Sequence, residues 1–111
     1  MTMTVSGAMG KYGFECVTSG GGNDNVIKDV YIGDLLSWVM GRAGEGCAWI
    51  TIQAHINIVA VALLVEAACV IIAENAQVDE DTLTKANEEN LPILKSKLTS
   101  YQIAALFARD E

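Results

Sequence analysis

Apolar positions along this chain change period several times, and each change marks an element. Val5, Ala8, Met9 and Tyr12 recur at helical spacing, and Gly13 follows as a C-cap. Phe14–Thr18 alternates as a short strand, and Ser19–Asn25, with three consecutive glycines, reads as a flexible loop. Val26–Ile32 predicts a second strand. Asp34–Met40 predicts a short helix, with Asp34 near its start and Gly41 near its end. After the Gly44–Glu45–Gly46 turn the order becomes regular. Ala48–Thr51 is a strand, and a helix runs from about His55 to Ala67. Cys69–Ala73 is β-branched and continuously apolar, the pattern of a central strand covered on both faces. A polar helix follows from Asp79 to Asn90, with Leu83 and Ala86 inward. Leu91–Leu94 is the next strand, its proline suiting a strand start. Thr99 N-caps a last helix through Ala108, with Ile103, Leu106 and Phe107 inward.

Strand and helix alternate in the second half, which implies parallel pairing through right-handed crossovers. The first two strands are joined by the glycine loop without a helix and add an antiparallel element. The expectation is an α/β protein: an α/β/α sandwich with a mixed, mainly parallel sheet. The 111 residues form one domain, 1–111, around one core. The nearly all-apolar stretch Ile58–Val65 is expected to be a buried helix. Glu66 ends it far short of the roughly 18 apolar residues a membrane span needs.

Composition narrows the class. A formal net charge of −7 argues against nucleic acid or an anionic membrane as partner. The N-terminus has no basic region followed by an apolar block, so no secretion signal is expected. Cys16, Cys47 and Cys69 are odd in number and lie far apart. They read as small buried residues of a reducing cytoplasm, not as a disulfide framework or a zinc site.

Candidate chemistry concentrates where the Ala48–Thr51 strand meets its helix. Thr51, Gln53, His55 and Asn57 alternate with apolar residues, and then the polarity stops. In α/β folds ligands bind where strand C-ends meet helix N-ends. In a parallel sheet the turns after the next two strands open on the same edge, which adds Glu74, Asn75 and Ser96. These seven residues are the predicted ligand-binding set. His55, the only histidine, has two readings: a hydrogen-bonding group or general base toward a ligand, or a residue that caps the helix. Thr18–Gly22 can be read as a phosphate cradle or as a connector, but it lacks the spacing of a P-loop. Asp79, Glu80 and Asp81 complement a helix dipole. Lys95, Ser96, Lys97, Thr99 and Ser100 form a small basic and polar cluster, either the second wall of an anion pocket or a solvated turn. Trp38, with Leu35 and Met40, is either core or a dimer patch. No serine, cysteine or carboxylate has a readable base partner, so no catalytic residue, metal site or cofactor is assigned.

The order and spacing of several pieces carry a resemblance. Tyr31-Ile32-Gly33-Asp34-Leu35-Leu36-Ser37-Trp38, Trp49-Ile50-Thr51-Ile52-Gln53-Ala54-His55-Ile56-Asn57, Asp79-Glu80-Asp81-Thr82, Pro92-Ile93-Leu94 and Thr99-Ser100-Tyr101 together resemble the DRTGG domain family from about Val5 to Phe107. The string that names the family corresponds here to Asp24–Asp29. The aspartate is present, Asn25 replaces the arginine and Asp29 replaces a glycine. The resemblance implies a Rossmann-like α/β sandwich similar to the N-terminal domain of HPr kinase/phosphorylase. It implies a regulatory or assembly module of the kind found beside CBS pairs in regulated pyrophosphatases, commonly dimeric. Stand-alone versions resembling this chain occur in anaerobes near iron-hydrogenase genes. The expectation is therefore a non-catalytic module that binds a small anionic or nucleotide-like ligand, or a partner such as a metabolic enzyme, and forms a homodimer. The alternatives are an assembly subunit without a small ligand and, third, a small enzyme of unknown reaction.

Overall fold

The computed structural model describes residues 3–110. Its elements are β1 (Met3–Thr4), α1 (Val5–Tyr12), β2 (Glu15–Cys16), β3 (Val26–Ile27), β4 (Asp29–Ile32), α2 (Leu36–Arg42), β5 (Cys47–Thr51), α3 (Asn57–Leu64), β6 (Cys69–Ile72), α4 (Glu80–Glu88), β7 (Ile93–Lys95) and α5 (Ser100–Ala108). The main sheet has the order β2-β7-β6-β5-β4. β4 to β7 are parallel, and β2 is antiparallel to β7. This is the mixed, mainly parallel sheet of a Rossmann-like α/β fold, with the apolar β6 in its middle.

Alternation along the strands builds two cores. Ala48, Ile50, Cys69, Ile71 and Leu94 point to one face, where they meet Val5 and Ala8 of α1 and Ile103 and Phe107 of α5. Trp49, Val70, Ile72 and Ile93 point to the other, where they meet Val39 of α2, Ile58, Val59, Val61 and Ala62 of α3, and Ala86 of α4. The sheet lies between two helical layers, so β5 and β6 are buried at every position. Cys47 and Cys69 lie in these strands. Burial pushes the Cys47 thiol up to about 11 and also raises that of Cys69.

Three features differ from the sequence pattern. The segment Val26–Ile32 is expected to be one strand, but it divides at Lys28. β3 leaves the main sheet to pair antiparallel with β1, and β4 forms the sheet edge. Between them the Lys28 N–H donates to the Gly46 carbonyl at 2.8 Å. Secondly, the helix expected from His55 begins at Asn57. The Ala54 carbonyl is held by the Asp79 N–H (3.3 Å) and the Thr82 hydroxyl (2.9 Å), and this keeps the preceding turn out of the helix. Thirdly, α3 is buried on one side only. Leu63 and Leu64 are 40% and 65% exposed, and Ile56 just before the helix is 44% exposed. The outward residues repeat as Ile56, Ala60 and Leu63/Leu64, which is a helical stripe.

A latch closes the α1–α5 layer. Lys11 donates to Asp110 at 2.8 Å, and the Tyr12 hydroxyl donates to the same carboxylate. The Tyr12 ring packs on Phe14 and Phe107. Burial, followed by the bond to Asp110, pushes the Tyr12 hydroxyl up to about 12. The bonds from Lys11 and then Tyr12 hold Asp110 below its ordinary value.

Candidate functional site

The C-terminal edge of the sheet carries the turns after β4, β5, β6 and β7. At the β4–β5 end the centre is Asp34. One carboxylate oxygen accepts from the Thr51 hydroxyl at 2.7 Å and from the Ile52 N–H at 2.9 Å. Gln53 closes the knot: its N–H donates to the Thr51 hydroxyl (3.1 Å) and its side-chain amide donates to the Asp34 carbonyl (3.0 Å). Thr51 is fully buried. A hydroxyl without a partner in that position would cost about 1–3 kcal/mol, so the Asp34 carboxylate holds the β5 end in place.

His55 and Asn57 stand on the far side of that turn. His55 Nδ1 lies 2.7 Å from an Asp79 carboxylate oxygen, with the two side chains 72% and 45% exposed. The carboxylate only accepts, so Nδ1 carries the hydrogen of this contact and Nε2 makes no hydrogen bond to the described residues. Asn57 is the exposed first residue of α3. The two readings of His55 are thereby sharpened: its ring ties the turn before α3 to the start of α4, and one ring nitrogen remains open.

The turns after β6 and β7 form a second cluster. Glu74 and Asn75 both adopt left-handed conformations, with φ of 58° and 54°. Such a pair costs energy, and neighbouring bonds hold it: the Glu74 N–H donates to the Leu98 carbonyl (2.8 Å) and the Asn75 N–H to the Ser96 carbonyl (2.7 Å). Ser96 accepts from the Leu98 N–H at 3.1 Å. The result is an open groove of about 380 Å³ walled by Tyr12, Glu15, Asn75, Lys95, Ser96 and Lys97.

The seven predicted residues are thus divided. Thr51 and Gln53 belong to the Asp34 knot, His55 and Asn57 to the α3 start, and Asn75 and Ser96 to the groove. Glu74 is exposed beside the groove. The groove lining includes none of Thr51, Gln53, His55 and Asn57. The lysine cluster faces α1 and β2 instead of the His55 junction. Asp34 was missed as a site residue because the sequence presents it as a helix-start aspartate. In the structure α2 has Leu35 as N-cap and no side-chain cap. The signal available was its place directly after a strand, in Gly33-Asp34.

Two further sequence readings are decided by hydrogen bonds. The glycine loop does not cradle an anion. Its Ser19 and Gly20 N–H groups donate to the Asn87 side chain (2.7 and 2.9 Å), and Gly21 donates to Asn90 (3.0 Å). Gly22, at φ 99°, has no room for a side chain against the Asn90 carbonyl and Pro92. Asn25, at the position of the family arginine, braces the same loop by donating to the Ala68 carbonyl at 3.1 Å. Among the described residues no group of three or more His, Cys, Asp or Glu side chains is placed to hold a metal, and no helix is long and apolar enough to cross a membrane.

Beside this edge lies an uncovered apolar face. α2 and α3 pack side by side on one face of the sheet. Leu35, Trp38, Met40, Ile52, Ile56, Leu63 and Leu64 are all at least 40% exposed. No Asp, Glu, Lys or Arg occurs from Leu35 to Gly41 or from Cys47 to Val65. Arg42 lies over the Trp38 ring at 4.0 Å.

Comparisons with known proteins place this geometry. The DRTGG domain family matches residues 12–109. No curated protein matches the sequence. Among solved structures the chain is similar to the CBS and DRTGG domains of the regulatory region of Clostridium perfringens pyrophosphatase, a structure complexed with the activator diadenosine tetraphosphate. The identity is 13%, the TM-score is 0.75, and the match covers 94% of this chain and 45% of that one. The likeness shows a shared fold.

Proposed function

The chain belongs to the DRTGG domain family, and we propose that it is a non-catalytic regulatory module acting as a homodimer. A small anionic or nucleotide-like ligand is taken at the C-terminal edge of the sheet. The response passes through the adjoining α2–α3 face to a second copy of the chain. The observation that carries this reading is that face, an apolar surface without carboxylates, with Arg42 lying over its Trp38, at the C-terminal edge of the sheet. Two copies of a chain of net charge −7 repel one another over most of their surface, and a face without carboxylates is where they can meet. A regulatory role is supported by the fold shared with the regulatory region of the pyrophosphatase. Cys16, Cys47 and Cys69 are free thiols, which suits a reducing cytoplasm.

Light scattering tests the assembly. The expected result is a dimer at micromolar concentration that Leu64→Glu converts to a monomer without loss of fold, because Leu64 is 65% exposed. A wild-type monomer at high micromolar concentration would remove the homodimer from the reading. A thermal-shift series with nucleotides, phosphates and metabolites tests the ligand half, and turnover of any of them would favour an enzyme instead. The alternative, an assembly subunit without a small ligand, is favoured by the Asp34 knot, where Thr51 and Gln53 already satisfy each other. No thermal shift together with a stable dimer would select it.

A further inference from the structure

We propose that the groove walled by Tyr12, Glu15, Asn75, Lys95, Ser96 and Lys97 binds a compact phosphate dianion, either inorganic phosphate or the phosphate of a monoester. This rests on the ligand half of the reading above and names its site and chemistry.

The argument begins with the cations. The chain has seven Lys and Arg residues against fourteen Asp and Glu. Lys11, Lys28 and Lys85 are held in ion pairs, and Arg42 lies on Trp38. Arg109 stands in a separate groove beside Lys11 and Asp110. Lys95 and Lys97 make no ion pair among the described residues, and both line the same groove. In so acidic a chain these two lysines share one groove with no side-chain ion pair among the described residues, and Glu15 is the one carboxylate in its lining.

Neutral donors join them. The Ser96 oxygen accepts from Leu98, which leaves its hydroxyl hydrogen to donate. The Asn75 amide makes no hydrogen bond to the described residues, and its left-handed backbone holds it at the groove wall. Two ammonium groups, a hydroxyl and an amide suit a tetrahedral oxyanion, whose oxygens take several charge-assisted bonds at once. The Tyr12 hydroxyl is engaged by Asp110, so its ring serves as a wall, with Leu98 another apolar contact. An ester group has apolar surface to lie on there.

Glu15 limits the ligand. It lines the groove and sits directly opposite Lys95 in the β2–β7 ladder. With two lysines it leaves the lining at one net positive charge, and with Glu74 standing beside the groove this suits at most a single phosphate, not a polyphosphate. The groove at the other end of the sheet, about 440 Å³, is unsuitable: it carries Glu45 and Glu66 against Lys28 alone, and Lys28 is paired with Glu45 at 2.6 Å.

The test is a two-dimensional amide NMR titration of the full chain with inorganic phosphate in one arm and adenosine monophosphate in the other, each against chloride at matched ionic strength. The expected result is saturable shifts at residues 75 and 95–98. Lys95→Ala with Lys97→Ala should weaken binding by about tenfold or more, and Glu15→Gln should strengthen it by about threefold. Tighter binding of the monophosphate identifies an ester as the ligand, and equal binding identifies free phosphate. Shifts that chloride reproduces, or saturable binding that both lysine substitutions leave unchanged, overturn the proposal. Saturable shifts centred on Gln53, His55 and Asn57 also overturn it but leave a ligand-binding module standing. Absence of saturable shifts from both probes overturns it as well. In that case a thermal shift with another ligand keeps the wider reading, and silence there too removes its ligand half.

Discussion

Two polar clusters share the C-terminal edge of this sheet, one around Asp34 and one around Lys95. Around Asp34 the side chains bond to one another. Thr51, Gln53 and the Ile52 N–H all converge on that one residue, with Thr51 fully buried. Around Lys95 the backbone groups of Glu74, Asn75 and Ser96 are bonded, while the side chains of Asn75, Ser96, Lys95 and Lys97 face an open groove. A closed polar cluster fixes backbone, and an open one offers donors to something else. Polarity in the sequence is the same in both.

The comparison is tested most strongly at Asp34. Asp34→Ala leaves the buried Thr51 hydroxyl and the Ile52 N–H without their acceptor, and urea unfolding should show a loss of about 2 kcal/mol. A loss below about 0.5 kcal/mol would mean the knot does not support β5. The neighbouring tie is weaker. Thr82→Val removes the hydroxyl bond to the Ala54 carbonyl and should cost about 1 kcal/mol. His55→Ala in the same turn, an exposed pair, should stay within about 0.5 kcal/mol.

The latch behind the groove gives a pH signature. The Tyr12 hydroxyl is raised in the folded chain to about 12 from 10.0, so its contribution is complete below pH 10 and is lost as the pH rises toward 12. Asp110 is depressed, so its contribution is present above the ordinary carboxylate range and is lost as the pH falls through its lowered value. Tyr12→Phe should flatten the alkaline limb of stability against pH, and an unchanged limb would show that the latch is not felt. The smallest effect belongs to the open cluster. Lys97→Ala should leave unfolding within about 0.5 kcal/mol of the parent, and a larger loss would mean that Lys97 supports the fold instead of facing a ligand.

Legibility followed how local each cause is. The apolar run Cys69–Ala73 marked the middle strand, because a β-branched segment with no polar face has to be covered twice. Thr99 and Gln102 form the capping box that the Thr99 N-cap anticipated. Val26–Ile32 was legible as strand but not as two strands: the Lys28-Asp29 pair interrupts its apolar run, and the distant partners Gly46 and β1 draw its halves apart. At the candidate site the sequence named Asn75 and Ser96. It did not place Tyr12 and Glu15 opposite them, because α1 and β2 reach that groove only through the antiparallel pairing with β7.

The amino-acid order by itself determined the alternation of strands and helices and the sandwich, since periodicity, caps and glycines act over a few residues, and the order of its motifs carried the family resemblance. The tertiary structure decided which polar groups are engaged and which are open, and which side of α3 is left bare. Those outcomes depend on partners far away in sequence: Asp34 for Thr51, Asp79 for His55, Asn87 for the glycine loop and Asp110 for Tyr12. Hydrogen-bond satisfaction and burial are properties of neighbours in space, and only the folded chain supplies those neighbours.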